Sequence, residues 1–307
     1  MRSALIFSLL FPFILRAQLS TAYFSNGKKK SEGMMQDSMQ TGVWQTWWEN
    51  GQLADSGEYV PLHYNRIKVD MGGENSYGVD TNDIKKNYLK RSVYNGHWVS
   101  YFPNGAMQEV ADYFPIMTVH ISFIENIDPV SGESGIAYVM IDEPQRTGTW
   151  KMYYENGKLQ SEAVYVNGVK NGAFSEYYEN GNLQLSGEIY NGGKNKNNYN
   201  ESFNGPYKEF FEDGSLSAEK MYDKGEAAGV WKEYYPGGKI KSTEDHTNSY
   251  GYEHKDYYEN GNLKLVCAFT GSDQKNGKYA EYYETGAKKN RAVLCPWQRF
   301  RNMVHVL

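Results

Sequence analysis

A twelve-residue pattern, Gly-x-aromatic-x-x-aromatic-aromatic-x-Asn-Gly-x-Leu, recurs along this chain and limits what it can fold into. Clear copies occupy 42–53, 96–107, 148–159, 172–183, 205–216, 229–240 and 277–288. A weakened copy lies at 252–263 and a half copy at 23–29. Five of the eight steps between closing glycines, from Gly27 to Gly286, are 23–25 residues, and the longer steps mark units with insertions near 60–94, 114–146 and 191–204. A period of this length is the signature of an array in which no unit can bury its own apolar face and each needs its neighbours.

The pattern reads as one β-hairpin per unit. Numbering from the first Gly, positions 3 to 8 form a strand rich in Trp, Tyr and Phe, positions 9 and 10 are Asn-Gly or Asp-Gly in most copies, and a second strand starts at position 12. Asn-Gly between such strands predicts a two-residue type I′ turn, which pairs position 7 with 12, 5 with 14 and 3 with 16. Odd positions of the first strand and even positions of the second then share a face. A large residue six places after the Leu (Tyr59, Tyr113, Tyr165, Ile189, Tyr222, Phe269) supports that register. Position 16, opposite the aromatic at 3, is Gly57, Ala111, Ala163, Gly187, Cys267 and Ala292, so small faces large. Lys220 and Glu244 break this rule and predict slipped or open pairing there. The expected fold is all-β, a repetitive antiparallel β-hairpin array of about nine units over 18–294 with loop insertions, and a terminal cap at 295–307. Within the insertions, 119–127 (VHISFIENI) reads as a decayed unit, 191–204 as a polar loop, and 62–93 carries no motif.

Composition narrows the function. With 32 basic and 37 acidic residues there is no basic stripe for phosphate, so nucleic acid is not an expected partner. The 27 Tyr, 7 Trp and 13 Phe imply an aromatic core rather than an aliphatic one. Residues 1–17 read as a signal peptide: Arg2, an apolar run from Ala4 to Leu15, and a small residue at Ala17. That run is shorter than the roughly 20 residues a membrane span needs, so no span is expected after its removal. The mature chain is expected to start near Gln18 and to be exported: periplasmic, outer-surface or secreted. Two cysteines, Cys267 and Cys295, suit an oxidising compartment but fall on opposite faces in the repeat register, so a bond between them would need local distortion.

The full pattern, with a Tyr six residues after the Leu, resembles the MORN repeat variant of YwqK-like bacterial antitoxin proteins. The resemblance covers about 23–294 with interruptions. It implies a single-layer, curved antiparallel sheet that presents surface for binding, without known catalysis. Antitoxins of that kind are expected in the cytoplasm, whereas the first 17 residues look like an export signal.

Position 5 carries the one chemical pattern that repeats. It is Glu176, Glu209, Glu233, Asp256 and Glu281 in five consecutive units. Equivalent residues lie two strands apart, roughly 9–10 Å, so these carboxylates form a spaced row rather than catalytic pairs. Flanked by Tyr178, Phe211, Trp231, Tyr235 and Tyr283, the row could hold a protein or peptide partner, in particular a cationic one. The alternative is that each carboxylate serves a neighbouring Tyr or water. Glu at position 8 reads as a solubilising residue. The six His show no metal-ligand spacing, the glycines are turn glycines, and neither a cofactor nor an enzymatic activity is expected. The function expected is a non-catalytic scaffold for protein interaction. A cell-wall or carbohydrate-binding repeat is the alternative, distinguished by aromatics at positions 3 and 7 that stay exposed. An enzyme with its site in the insertions is a third class.

Overall fold

The computed structural model describes residues 17–70, 82, 85–86, 91–127, 134–142, 145–190, 202–248, 251–270 and 279–289. The leader segment at 1–16, most of the polar insertion (191–201), Cys295 and the cap at 295–307 lie outside the described residues. The chain divides into two compact units, Met1–Arg146 and Thr147–Leu307. Both are antiparallel β structure built from the repeat hairpins. No helix among the described residues is long and apolar enough to cross a membrane.

In the first unit, β1 (Gln18–Tyr23), β2 (Lys29–Gln36), β3 (Met39–Trp47), β4 (Leu53–Pro61), β6 (Ser92–Tyr101) and β7 (Met107–Phe114) form an antiparallel meander. The insertions contribute more than loops. β5 (Ile67–Asp70) pairs in parallel with β8 (Met117–Ile127), and β8 pairs antiparallel with β9 (Ser134–Asp142). Residues 119–127 are therefore not a decayed repeat but most of β8. Leu62, Ile67, Val93, Met117 and Val119 form a separate aliphatic core with Val60 packed against it. This is where the chain departs from its aromatic habit.

The second unit is a meander in sequence order. It runs through β10 (Gln145–Tyr153), β11 (Leu159–Val166), β12 (Val169–Tyr177), β13 (Leu183–Ile189), β14 (Gly205–Phe210) and β15 (Leu216–Asp223). It continues through β16 (Glu226–Tyr234), β17 (Ile240–Asp245), β18 (Gly251–Tyr257), β19 (Leu263–Thr270) and β20 (Tyr279–Glu281). Each strand bonds to the next.

The motif turn is not the expected type I′. In the 42–53 copy the N–H of Gly51 donates to the Trp48 carbonyl and that of Trp48 to the Gln52 carbonyl, each at 2.8 Å. This is a three-residue loop closed by a glycine, and the same pair of bonds recurs in the other copies. Only that glycine has a left-handed φ, between 80° and 96° from Gly27 to Gly286. Asn at position 9 stays at negative φ because its Oδ1 accepts the backbone N–H two residues on: Gln52 to Asn50 and Lys158 to Asn156 at 2.9 Å, Asn182 to Asn180 at 2.8 Å. In the Pro-Gly-Gly copy no such side chain exists, and Gly237 is itself at φ 96°. Two-residue turns with both φ values positive do occur, at Asp37-Ser38, Asn167-Gly168 and Lys224-Gly225, but they join one repeat to the next.

The longer loop shifts the register by one next to the turn. Positions 3 and 16 pair as expected (Trp44 with Gly57, Phe174 with Gly187), as do 5 and 14 (Thr46 with Asp55, Glu176 with Leu185). After a bulge, position 6 rather than 7 meets position 12: Trp47 with Leu53, Tyr177 with Leu183. Within their own hairpins Lys220 and Glu244 hold the regular register opposite Tyr207 and Trp231; toward the next hairpin the ladder shifts at Lys220, as it also does at Gly33 and Gly57.

Small does face large, across the seam between repeats at Gly33 and Gly57 and on both sides at Gly187. A Cβ added at Gly33 would lie 2.2 Å from the Trp44 ring, and one at Gly57 2.1 Å from the Trp98 ring, the aromatic of the following hairpin in each case. The indole N–H groups fix those rings by donating to the carbonyls of Met34 and Glu58, at 3.0 and 3.1 Å. A ring lying flat on backbone cannot yield to a methyl group without losing that bond. Gly57→Ala should therefore lower the unfolding free energy by about 1–3 kcal/mol, measured by chemical denaturation, and an unchanged midpoint would contradict the seam packing.

Candidate functional site

Backbone pairing carries the position-5 carboxylates across the second unit in one unbroken row. Glu176, Leu185, Glu209, Ala218, Glu233, Ser242, Asp256, Leu265 and Glu281 are successive partners. The acid therefore recurs on every second strand, and all five are half-buried. Four of them meet a cation of the same chain: Glu209 with Lys220 at 3.0 Å, Glu233 with Lys241 at 3.2 Å, Asp256 with His254 at 3.0 Å and Glu281 with Lys289 at 3.6 Å. Glu281 also accepts the Tyr279 hydroxyl. Glu176 has no ion pair among the described residues.

The flanking aromatics are structural first. The hydroxyls of Tyr178 and Tyr235 donate to the Phe210 and Tyr257 carbonyls of the following repeat, at 2.8 and 2.9 Å. Tyr154 and Tyr258, at the same position, do likewise to Tyr177 and Tyr282. Trp231 donates to the Met221 carbonyl at 2.8 Å and packs between Tyr222 and His246. Phe211 has no hydroxyl and is half-buried, while Tyr283 is 55% exposed. Position 3 is more enclosed: Trp44 is 6% exposed, Phe174 7% and Tyr207 8%. Burial pushes the Tyr207 and Tyr222 hydroxyls well above their ordinary range, Tyr222 to about 12, with the Glu209 carboxylate adding to it.

The turns are stitched by the same logic. Asn50, Asn156, Asn180 and Asn260 accept a backbone N–H of their own turn at Oδ1 and donate through Nδ2 to the position-8 carbonyl of the next repeat: Pro103 at 2.6, Glu179 at 3.1, Glu212 at 2.8 and Glu284 at 3.0 Å. Position-8 glutamates are exposed, and it is their backbone carbonyls that the repeat uses.

One cluster was not identified from sequence. His254, 7% exposed, lies at position 3 of the weakened copy, where its Nδ1 meets Glu244 at 3.1 Å and its Nε2 meets Asp256 at 3.0 Å. The second Glu244 oxygen meets His246 at 3.2 Å. The signal was present: Glu244, His246 and His254 depart from the consensus at positions 16, 18 and 3, which the register makes neighbours. Among the described residues no group of His, Cys, Asp and Glu is placed to hold a metal ion. Burial disfavours a charged imidazole, but the hydrogen bonds to Asp256 and Glu244 outweigh it and raise His254 to about 9. Burial likewise works against the Glu244 carboxylate, and the two histidines overcome it and lower its pKa.

The sign follows from linkage. His254, raised above the ordinary 6.5, contributes stability fully below about pH 6.5 and loses it as pH rises through 9. Glu244 contributes above the ordinary 4.5 and loses it as pH falls. The wild-type chain should lose on the order of 3 kcal/mol between pH 6.5 and above 9. The double variant His254→Tyr, Glu244→Ala, which restores residue types used at these positions elsewhere, should lose much less, and parallel denaturation profiles would refute the linkage.

The MORN repeat variant family model matches residues 40–60, 146–167, 170–189, 203–224 and 228–248. Repeats of this family are generally motifs of protein or membrane interaction. No curated protein matches the chain. Among solved structures, a crystal structure of TcdB2-TccC3-TEV is 10% identical, covering 89% of this chain and 16% of that one with a TM-score of 0.19. A structure of the Photorhabdus luminescens Tc holotoxin pore is 11% identical, covering 89% and 13% with a TM-score of 0.15. The chain thus spans less than a fifth of those chains.

Proposed function

We propose that the chain is a non-catalytic scaffold, acting in the cell envelope or outside the cell, that binds an extended cationic segment of a protein partner along the acidic row of the second unit. The observation that supports this most is the row itself: half-buried carboxylates on alternate strands of a sheet whose repeats are bonded to one another at ring, turn and backbone. A rigid array of this kind costs little ordering on binding, so charge spacing can select the partner. Enclosed rings at position 3 and engaged hydroxyls at position 7 favour a protein over a sugar, which needs open ring faces.

The spacing also specifies the ligand. Alternate strands are about 9.5 Å apart, close to the roughly 9.3 Å that a polyproline II chain advances in three residues. The bound segment would then present Lys or Arg at every third position and exchange with Lys220 and Lys241 for the carboxylates. The leader-like residues 1–17 support an exported site of action, in which case the partner is itself outside the cytoplasm and the antitoxin role of the resembling proteins does not carry over. The mature chain from Gln18 should bind a Pro-rich peptide with Arg at every third residue at least several-fold tighter than one of equal charge with Arg at every second. The double variant Glu176→Lys, Glu233→Lys should abolish the difference while its thermal midpoint stays within a few degrees. Equal affinity for the two peptides, or an unchanged preference in the variant, would defeat the reading.

A further inference from the structure

The first unit holds a cavity of about 410 Å³ on the face that carries its position-3 aromatics. Its size is in the range of small-ligand sites. Of the residues around it, Trp44, Trp48, Tyr59, Tyr94, Trp98 and Tyr113 are aromatic, two carry carboxylates, and none is Lys, Arg or His.

The three indoles have no donor left for a ligand. The indole N–H groups of Trp44, Trp48 and Trp98 donate to the carbonyls of Met34, Tyr101 and Glu58, at 3.0, 2.9 and 3.1 Å. What these side chains still offer a ligand is the negative face of the π system. Tyr94 and Trp98 pack with centroids 4.1 Å apart, and Tyr94 and Tyr113 at 5.2 Å, so the wall is continuous. Trp48, also part of the lining, is 38% exposed.

The floor is the first unit's version of the carboxylate row: Thr46, Asp55, Ser100 and Glu109 are successive backbone partners. Asp55 Oδ2 accepts the Thr46 hydroxyl at 2.7 Å, which fixes the carboxylate without neutralising it. Glu109 is balanced by Arg146 at 3.2 Å. Among the described residues no cation pairs with Asp55, whose charge is set among aromatic side chains, the arrangement that binds one monovalent organic cation.

We propose that this cavity binds a single alkylammonium or guanidinium head, with Asp55 as the counter-ion and the partly exposed Trp48 as the π partner. It is independent of the acidic row of the second unit, and either site can fail without the other. Calorimetric titration of the mature chain tests it with four probes: tetramethylammonium, the N-acetyl methylamides of arginine and lysine, and the neutral N-acetylcitrulline methylamide. The cations should bind with Kd on the order of 1 mM, and the arginine probe about tenfold or more tighter than its citrulline isostere. Tighter binding of the arginine or lysine amide identifies a protein side chain as the natural occupant, and tighter binding of tetramethylammonium a small quaternary amine. Asp55→Asn should weaken the cations about tenfold and leave the citrulline probe unchanged. Ser100→Lys, which brings an internal cation to the partner position of Asp55, should abolish binding, with its melting curve as the control for folding. Equal affinity for arginine and citrulline probes, full cation binding by Asp55→Asn, or no cation binding in the millimolar range would overturn the proposal.

Discussion

Everything in the repeats depends on a donor at or beside each turn reaching a backbone carbonyl of the next repeat. Where no second layer of described residues lies over it, a sheet cannot bury aliphatic side chains face to face, and its hairpins would be marginal alone. The chain answers with side chains that are long, flat and tipped with a single donor. Tyr at position 7, Asn at position 9 and Lys or Asn at position 11 each cross to the following hairpin, as Tyr178, Asn180 and Asn182 do toward Phe210 and Glu212. Each bond is worth about 1 kcal/mol net, but all run in one direction, from a repeat to its successor, and so add along the array. That polarity explains the composition: Leu could fill the same space but could not close the bond.

The hairpins, their period and the inward faces were legible because they rest on backbone periodicity and on glycine. The turn type was not, because Asn-Gly serves two different loops. What separates them is whether the Asn oxygen takes the N–H two residues ahead, as Asn50 does for Gln52, and so stays out of the left-handed region. The true type I′ turn at Asp37-Ser38 contains no glycine and gave no signal. The parallel pairing of β5 with β8 was equally hidden, since an apolar run such as 117–121 has no period that distinguishes a repeat from a buried strand. At the candidate site, the spacing of the carboxylates was readable and their counter-ions were not. Lys220 and Lys241 come from a neighbouring strand by register alone, and register near the turn was misjudged by one.

The exceptions to the consensus are where the array carries charge. Lys220 replaces a small residue at position 16 and keeps its pairing with Tyr207, its ammonium lying over the Tyr207 and Trp231 rings and reaching Glu209. Glu244, at the next position 16, is tolerated for a different reason: two histidines, one displacing the aromatic at position 3, surround it with donors. In both places a polar intruder is admitted only with its counter-charge from the adjacent strand, as burial requires.

The polar row then reads as one device tuned twice. In the second unit it alternates acids with Leu, Ala and Ser, and most of its charge is answered within the chain. In the first unit the same positions carry Thr46, Asp55, Ser100 and Glu109, and Asp55 is held by a hydroxyl instead of a cation. A hydroxyl orients a carboxylate but leaves its charge intact, whereas an ammonium removes it from long-range electrostatics. The two units would therefore differ in kind as surfaces. On the proposed reading the compensated row would exchange one ion pair for another, so that its selectivity would come from geometry. The cavity with Asp55 would gain a new ion pair on binding, so that its selectivity would come from charge.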